Sequence, residues 1–146
     1  MIKKIKYGEN SPAVQAHLNI TQSVIQRMAT NSGTCKAWCI TLVSAILVII
    51  ADKGKPNFAF IAVVPTVLFL VLDTYYLALE RRFRNSYKSF IGKLHEGKLV
   101  YSDLYAMTPS GSAWKWFFKS VVSFSVWPFY LTLGLMIWLT KCVVIP

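Results

Sequence analysis

AWCITLVSAILVIIADKGKPNFAFIAVVPTVLFLVLDTYYLAL, residues 37–79, holds two apolar runs, 37–51 and 58–79, joined by only Asp52, Lys53, Gly54, Lys55, Pro56 and Asn57. A helix of about 20 apolar residues crosses a hydrocarbon layer roughly 30 Å thick. The second run meets that length as it stands. The first is lengthened by the uncharged Gly33, Thr34 and Cys35 and by Lys36, whose ammonium can snorkel along its aliphatic stem toward an interface. So short a linker leaves one arrangement, a tight hairpin that returns the chain through the same layer. A third apolar run, 121–140, follows a polar interval, and the three leave too little polar sequence to clothe a soluble core. The expected fold class is all-α: an integral membrane helical hairpin plus a third membrane helix.

Charge orients the hairpin. The 146 residues include 16 Lys plus Arg against 6 Asp plus Glu, a net charge of +10. Lys3, Lys4, Lys6, Arg27 and Lys36 precede the first run, and Arg81, Arg82, Arg84, Lys88, Lys93, Lys98, Lys115 and Lys119 lie between the second and third. Only Lys53 and Lys55 sit in the hairpin, and Lys141 follows the third run. The positive-inside rule then puts the N-terminus and the middle segment in the cytoplasm, with the hairpin tip and C-terminus outside. A cleaved signal peptide does not fit, because the first run starts far from Met1 and a second span follows at once. A chain of this length has room for one membrane bundle and short cytosolic extensions, not for a separate catalytic domain. Cys35, Cys39 and Cys142 lie in or beside the apolar runs, and an odd number gives no disulfide framework.

Ser11-Pro12 reads as a helix start, and Val14, Leu18, Thr21, Ile25 and Met28 follow at helical spacing. Gly33 alone is too weak a break to stop this helix before residue 51, so one long amphipathic and then apolar helix is expected. The second helix has no breaker between Leu79 and Gly92, and Phe83, Tyr87, Phe90, Ile91 and Leu94 continue its apolar face into the cytosol. That face needs a partner, most simply the N-terminal helix of the same or a neighbouring subunit. Gly97 ends it, Ser102 caps a short turn, and Ser110 or Ser112 caps a helix whose Trp114, Lys115, Trp116, Phe117, Phe118 and Lys119 form an interfacial belt. Pro65 kinks the second helix; Pro128 kinks the third or separates an interfacial piece from the span. Four segments result: 1–36, N-terminal cytosolic amphipathic helix; 37–79, transmembrane hairpin; 80–113, basic cytosolic extension and loop; 114–146, interfacial and third transmembrane helix.

Asp73 lies about 9 Å along the helix axis before Leu79, inside the apolar layer. An ionisable group there needs a partner, a water-filled cavity or the interior of a bundle. It shares a helical stripe with Leu77, Glu80, Arg84 and Tyr87. Asp73 and Glu80 are either the acidic elements of a water-filled vestibule that gates or selects cations, or parts of inter-helix hydrogen bonds or salt bridges, for Asp73 for instance with Lys36 at the cytoplasmic end of the first span. Ala37, Thr41, Ser44, Val48 and Ala51 form a small-residue strip on the first span, suited to close helix packing or to a narrow, mildly polar pore wall. Arg81, Arg82, Arg84, Lys88 and Lys93 alternate with Phe83, Tyr87 and Phe90, which fits phosphate binding with base stacking and fits anionic lipid headgroups equally. Cys35 and Cys39 are at most half a metal site, and no metal is expected. His17 and His95 stand alone, no nucleophile, carboxylate pair or phosphate loop can be assembled, and neither enzymatic activity nor a cofactor is expected.

The run Leu72-Asp73-Thr74-Tyr75-Tyr76-Leu77-Ala78-Leu79-Glu80-Arg81-Arg82-Phe83-Arg84, behind a tight hairpin and a long N-terminal helix, resembles the small bacterial transmembrane effectors of the SLATT type. The resemblance covers the chain from the N-terminal helix to the third apolar run. It implies an oligomeric, pore-forming anti-phage effector in the bacterial inner membrane, N-terminus cytoplasmic, acting by abortive infection. It also implies control by a nucleotide or oligonucleotide from a partner nucleotidyltransferase, or by that enzyme itself. The suggested arrangement is that of the Hailong type, in which a nucleotidyltransferase product restrains a membrane channel. The basic form of the family has two spans, so the third run is a departure from it.

One subunit with three spans encloses no conduit, so a channel requires a homo-oligomer. The expected assembly places the first two spans around the axis, with Thr41, Ser44, Val48, Asp73 and Glu80 as pore or gate residues. Arg81, Arg82, Arg84, Lys88 and Lys93 are the expected acidic-ligand collar. The competing expectation is a non-conducting scaffold that recruits a cytosolic partner or anionic lipid through the same basic face. A transporter subunit is disfavoured by the lack of an inverted repeat.

Overall fold

A computed structural model of the chain describes residues 8–143, so Lys3, Lys4 and Lys6 lie outside the described residues. Those residues are helical throughout their regular structure. α1 (Pro12–Lys53) runs unbroken for 42 residues, about 63 Å at 1.5 Å per residue. Ser11 is its extended N-cap and Pro12 its first helical residue, where the missing N–H has no bond to lose. Asn31, Ser32 and Gly33 lie within the helix. At the other end Gly54 adopts φ 59°, ψ 32°, and the Gly54 and Lys55 amides close back onto the carbonyls of Ala51 and Ile50. This left-handed stop is open to glycine at no steric cost and directs the chain back along α1.

The return leg begins as a 3-10 helix, Pro56–Ala62, and becomes α2 (Val63–His95) without a break. The expected kink at Pro65 is therefore a change of helix type: Pro65 falls in the first turn of α2, where its missing donor costs little. α2 passes the last apolar residue, Leu79, and ends where Gly97, at φ 64°, lets the Lys98 amide reach Lys93 O. A short 3-10 turn, Tyr101–Asp103, a loop, α3 (Ala113–Val121) and α4 (Trp127–Val143) complete the fold.

The third apolar run does not form one helix. It divides at residues 122–126, with Pro128 in the first turn of α4, so that the amphipathic α3 and the apolar α4 are separate elements. α4 has 17 residues, about 26 Å, short of the roughly 30 Å of a hydrocarbon core. Two helices are long and apolar enough to cross a membrane, α1 and α2 with its 3-10 lead-in.

Two cores divide the molecule along its length. In the apolar half, Cys39, Val43, Leu47 and Ile50 of α1 meet Ala59, Ala62 and Leu77 of the return leg and Val126, Tyr130, Leu133 and Ile137 of α4. In the polar half, Val14 of α1 packs with Phe90 and Leu94 of α2 and with Leu99 and Leu104 beyond it. The apolar face of the α2 extension is thus covered by the N-terminal helix of its own chain. Around the first core the outward faces remain apolar: Val48, Val64, Leu68 and Leu131 are all exposed. The segment limits expected at 36/37 and 79/80 fall inside α1 and α2, so the two halves share rigid helices.

Candidate functional site

Where the two cores meet, α1 and α2 exchange their only deeply buried charge contact among the described residues. The α1 seam that faces α2 recurs every three or four residues as Ser32, Cys35, Cys39, Val43 and Leu47. On that seam, Ser32 and Lys36 stand one turn apart opposite Asp73. Lys36 Nζ lies 2.8 Å from Asp73 Oδ1 and 2.6 Å from Oδ2, and the Ser32 hydroxyl donates to Oδ1. Lys36 also donates to Ser32 Oγ at 3.3 Å. The Asp73 carboxylate is wholly buried, while the Lys36 side chain keeps 20% exposure. Beside it, the buried hydroxyls of Thr74 and Tyr130 have no hydrogen-bond partner among the described residues. Desolvating a carboxylate is costly, and an ammonium plus a hydroxyl is the set that offsets it. Lys36 is thus the counterion of Asp73, and Ser32 is a third member that its i,i+4 relation to Lys36 could have disclosed.

The remaining pore or gate candidates are not drawn into this cluster. Glu80 accepts from Arg84 Nε at 2.7 Å, an i,i+4 pair on the surface of α2. Thr41 and Val48 are exposed on the flank of α1 outside the seam, and Ser44 is half-buried. The Thr41 hydroxyl donates to Ala37 O at 2.9 Å, which satisfies it within its own helix. Apart from half-buried Ser44, the small-residue strip therefore stays exposed in the single chain.

The basic candidates separate by task. Arg81 donates to Lys119 O at 3.2 Å, to Ser120 Oγ at 3.4 Å and to Ser123 Oγ at 2.7 Å. Arg82 donates to Ser110 O at 3.4 Å and Pro109 O at 3.1 Å. Lys93 pairs with Asp103 at 2.6 Å. These three tie α2 to the chain that follows it, so an open collar of five cations does not form in the single chain. Arg84 is held by Glu80, and Lys88 is exposed with no side-chain partner among the described residues. The acceptors for Arg81 and Arg82 are main-chain carbonyls and serine hydroxyls, which leave no charge pattern in a sequence.

A cavity of about 360 Å³ opens in the polar half between α1, α2 and the 101–110 segment. His17, Phe83, Tyr87 and Phe90 give it aromatic walls, and Ser86, Ser89, Ser102, Lys93 and Asp103 give it polar ones. His17 stacks on Phe90 with ring centroids 4.1 Å apart, and its Nδ1 accepts the Tyr105 amide at 3.0 Å. Tyr105 holds φ 63°, an unusual state for a side-chain-bearing residue, so the 101–110 segment is pinned in a strained turn at the cavity edge. Burial pushes the His17 imidazole below its ordinary value, with the Asp103 charge pulling the other way. Burial raises Asp103, but the Lys93 hydrogen bond, the Val100 amide and the charges of Lys93 and His17 together hold it below the usual carboxylate range.

No protein-family model, curated protein or solved structure matches this chain.

Proposed function

We propose that the chain is the subunit of a homo-oligomeric, pore-forming membrane effector of bacterial anti-phage defence. Its gate is set by a nucleotide or oligonucleotide from a partner nucleotidyltransferase, and its opening depolarises the inner membrane. The observation that carries this reading is the buried Lys36, Ser32 and Asp73 cluster at the junction of the two cores. A desolvated ion pair contributes little net stability compared with well-packed apolar residues, but it does fix one register between two helices. A two-state gate needs such a discrete contact, made in one helix arrangement and broken in another.

The exposed apolar flanks of α1, α2 and α4 supply the lipid-facing surface, and the strip of exposed Thr41, half-buried Ser44 and exposed Val48 supplies a wall that only neighbouring subunits can close. The signal enters on the cytosolic side. Of the basic candidates, Lys93 lines the polar cavity, where Tyr87 and Phe90 offer stacking faces and the serine hydroxyls offer donors. A ligand there changes the contacts between the 101–110 segment and both long helices, which is the differential binding that gating demands.

A non-conducting scaffold is the second reading, favoured by the outward-facing basic groove formed by Arg81, Arg84, Lys88 and Lys119. The test is membrane potential, read with a voltage-sensitive dye in cells expressing the chain alone, with a neighbouring nucleotidyltransferase, and as Asp73→Ala. Depolarisation that the neighbour suppresses or triggers, and that Asp73→Ala alters, supports the gated channel. An unchanged potential in every combination, with the protein confirmed in the membrane, supports the scaffold.

A further inference from the structure

The groove between α2 and α3 stands apart from both the buried ion pair and the aromatic cavity. Arg81, Arg84 and Lys88 form one wall, Trp116, Lys119 and Val122 the other, and the space measures about 570 Å³. No carboxylate lines it. Glu80 takes the Arg84 Nε, which leaves the outer N–H groups of that guanidinium, and neither Lys88 nor Lys119 has an acidic partner among the described residues. Arg81 is held in place by Ser123 Oγ at 2.7 Å and by Lys119 O at 3.2 Å, and the Lys119 ammonium lies 5.1 Å from the Trp116 ring centroid. Arg81 is therefore fixed before any ligand arrives, which lowers the ordering cost of binding at that residue.

The surroundings decide between a free anion and an amphiphile. Arg81 lies two residues past Leu79, the last residue of the second apolar run, so the cations stand where that run meets the polar half. Val122, which lines the groove, is 73% exposed, and Phe124, two residues further along the chain, is 83% exposed. A free inorganic phosphate has no use for these groups, and the aliphatic Val122 offers no stacking face to a base. A phospholipid places its phosphate among the cations and its acyl chains against Val122 and Phe124. Trp116 has the amphipathic ring that favours the headgroup level.

We infer that the groove formed by Arg81, Arg84, Lys88, Trp116 and Lys119 is a binding site for the headgroup of an anionic phospholipid of the inner leaflet. The inference rests on the membrane reading of the two long helices but not on ion conduction.

The full chain is first tested for resistance to alkaline carbonate extraction, then purified and exchanged into nanodiscs of phosphatidylcholine with or without phosphatidylglycerol. Retained lipid is counted by native mass spectrometry. Preferential retention of phosphatidylglycerol is expected, falling by about fivefold for Lys88→Gln or Lys119→Gln and further for the double variant, since each cation near an anionic surface contributes about that factor. Lys88→Arg is expected to retain the lipid, and Lys98→Gln, outside the groove, to leave retention unchanged. Equal retention of both lipids, or a double variant that binds like the native chain, overturns the proposal. Displacement of the lipid by inorganic phosphate alone overturns its lipid form and assigns the groove to a soluble anion. Release by carbonate overturns the membrane reading itself, whereas a carbonate-resistant chain with no lipid preference overturns only the groove.

Discussion

Lys36 of α1 and Asp73 of α2 form a 2.6 Å ion pair whose carboxylate is wholly buried, and the Ser32 hydroxyl donates to the same carboxylate. Removing one member is expected to cost more than removing both. Lys36→Met leaves a buried carboxylate without its counterion, an expected loss of about 3–5 kcal/mol. The Lys36→Met, Asp73→Leu double variant replaces the pair with apolar groups and is expected to recover most of that loss. Thermal unfolding of the detergent-solubilised chain reads the difference. If the double variant is as unstable as Lys36→Met, the pair is not the contact that sets the helix register.

Protonation of His17 is expected to loosen the polar half. Because the folded chain holds this imidazole below its ordinary value of 6.5, the unfolded chain takes up the proton first as pH falls. The contribution is complete above pH 6.5 and is lost as pH drops from there through the lowered folded value. Asp103 acts in a lower window, its contribution declining only as pH falls from its ordinary 3.8 through its own lowered value. Protonation at Nδ1 also removes the acceptor of the Tyr105 amide. Hydrogen exchange at Tyr105, corrected for the intrinsic rate, should accelerate as pH falls below 6.5 in the native chain and lose this pH dependence in His17→Phe.

Arg82 and Arg84 are expected to respond to the same substitution to very different degrees. Arg82 directs two N–H groups to the carbonyls of Ser110 and Pro109, a fork that lysine cannot reproduce. Arg82→Lys should cost about 1–3 kcal/mol and expose the 106–112 loop to limited proteolysis. Arg84 is the exposed member of its i,i+4 pair with Glu80 and lysine keeps the charge, so Arg84→Lys should change stability by less than about 0.5 kcal/mol.

The hairpin was legible because two apolar runs joined by only the six residues from Asp52 to Asn57 admit few alternatives. The passage of α1 through Gly33 was legible too, since one glycine is a weak breaker. Lys36 could be offered as one partner for Asp73 because a carboxylate in an apolar layer requires a partner or water, and Lys36 stands at the cytoplasmic end of the first span. The roles of Arg81 and Arg82 were not legible. Their partners are carbonyls and hydroxyls of α3, of the turn after it and of the Pro109–Ser110 loop, which carry no charge pattern, so positive charge there read as an acidic-ligand collar. The division of the third apolar run was half-legible: Pro128 marks a discontinuity, but only the closure of the Val126 and Trp127 amides onto Ser123 O shows that the chain turns there. The strip of Thr41, Ser44 and Val48 read as small-residue packing or a pore wall, and its exposure leaves that choice to contacts beyond one chain.

Ion conduction is tested most directly by reconstituting the purified chain in a planar bilayer and recording current at fixed voltage, with Ser44→Leu and Asp73→Asn beside it. Discrete conductance steps whose amplitude falls in Ser44→Leu and whose open fraction changes in Asp73→Asn are the expected result. A silent bilayer, with the chain shown to be inserted and oligomeric, would contradict the channel and leave the lipid-binding scaffold as the account of this fold.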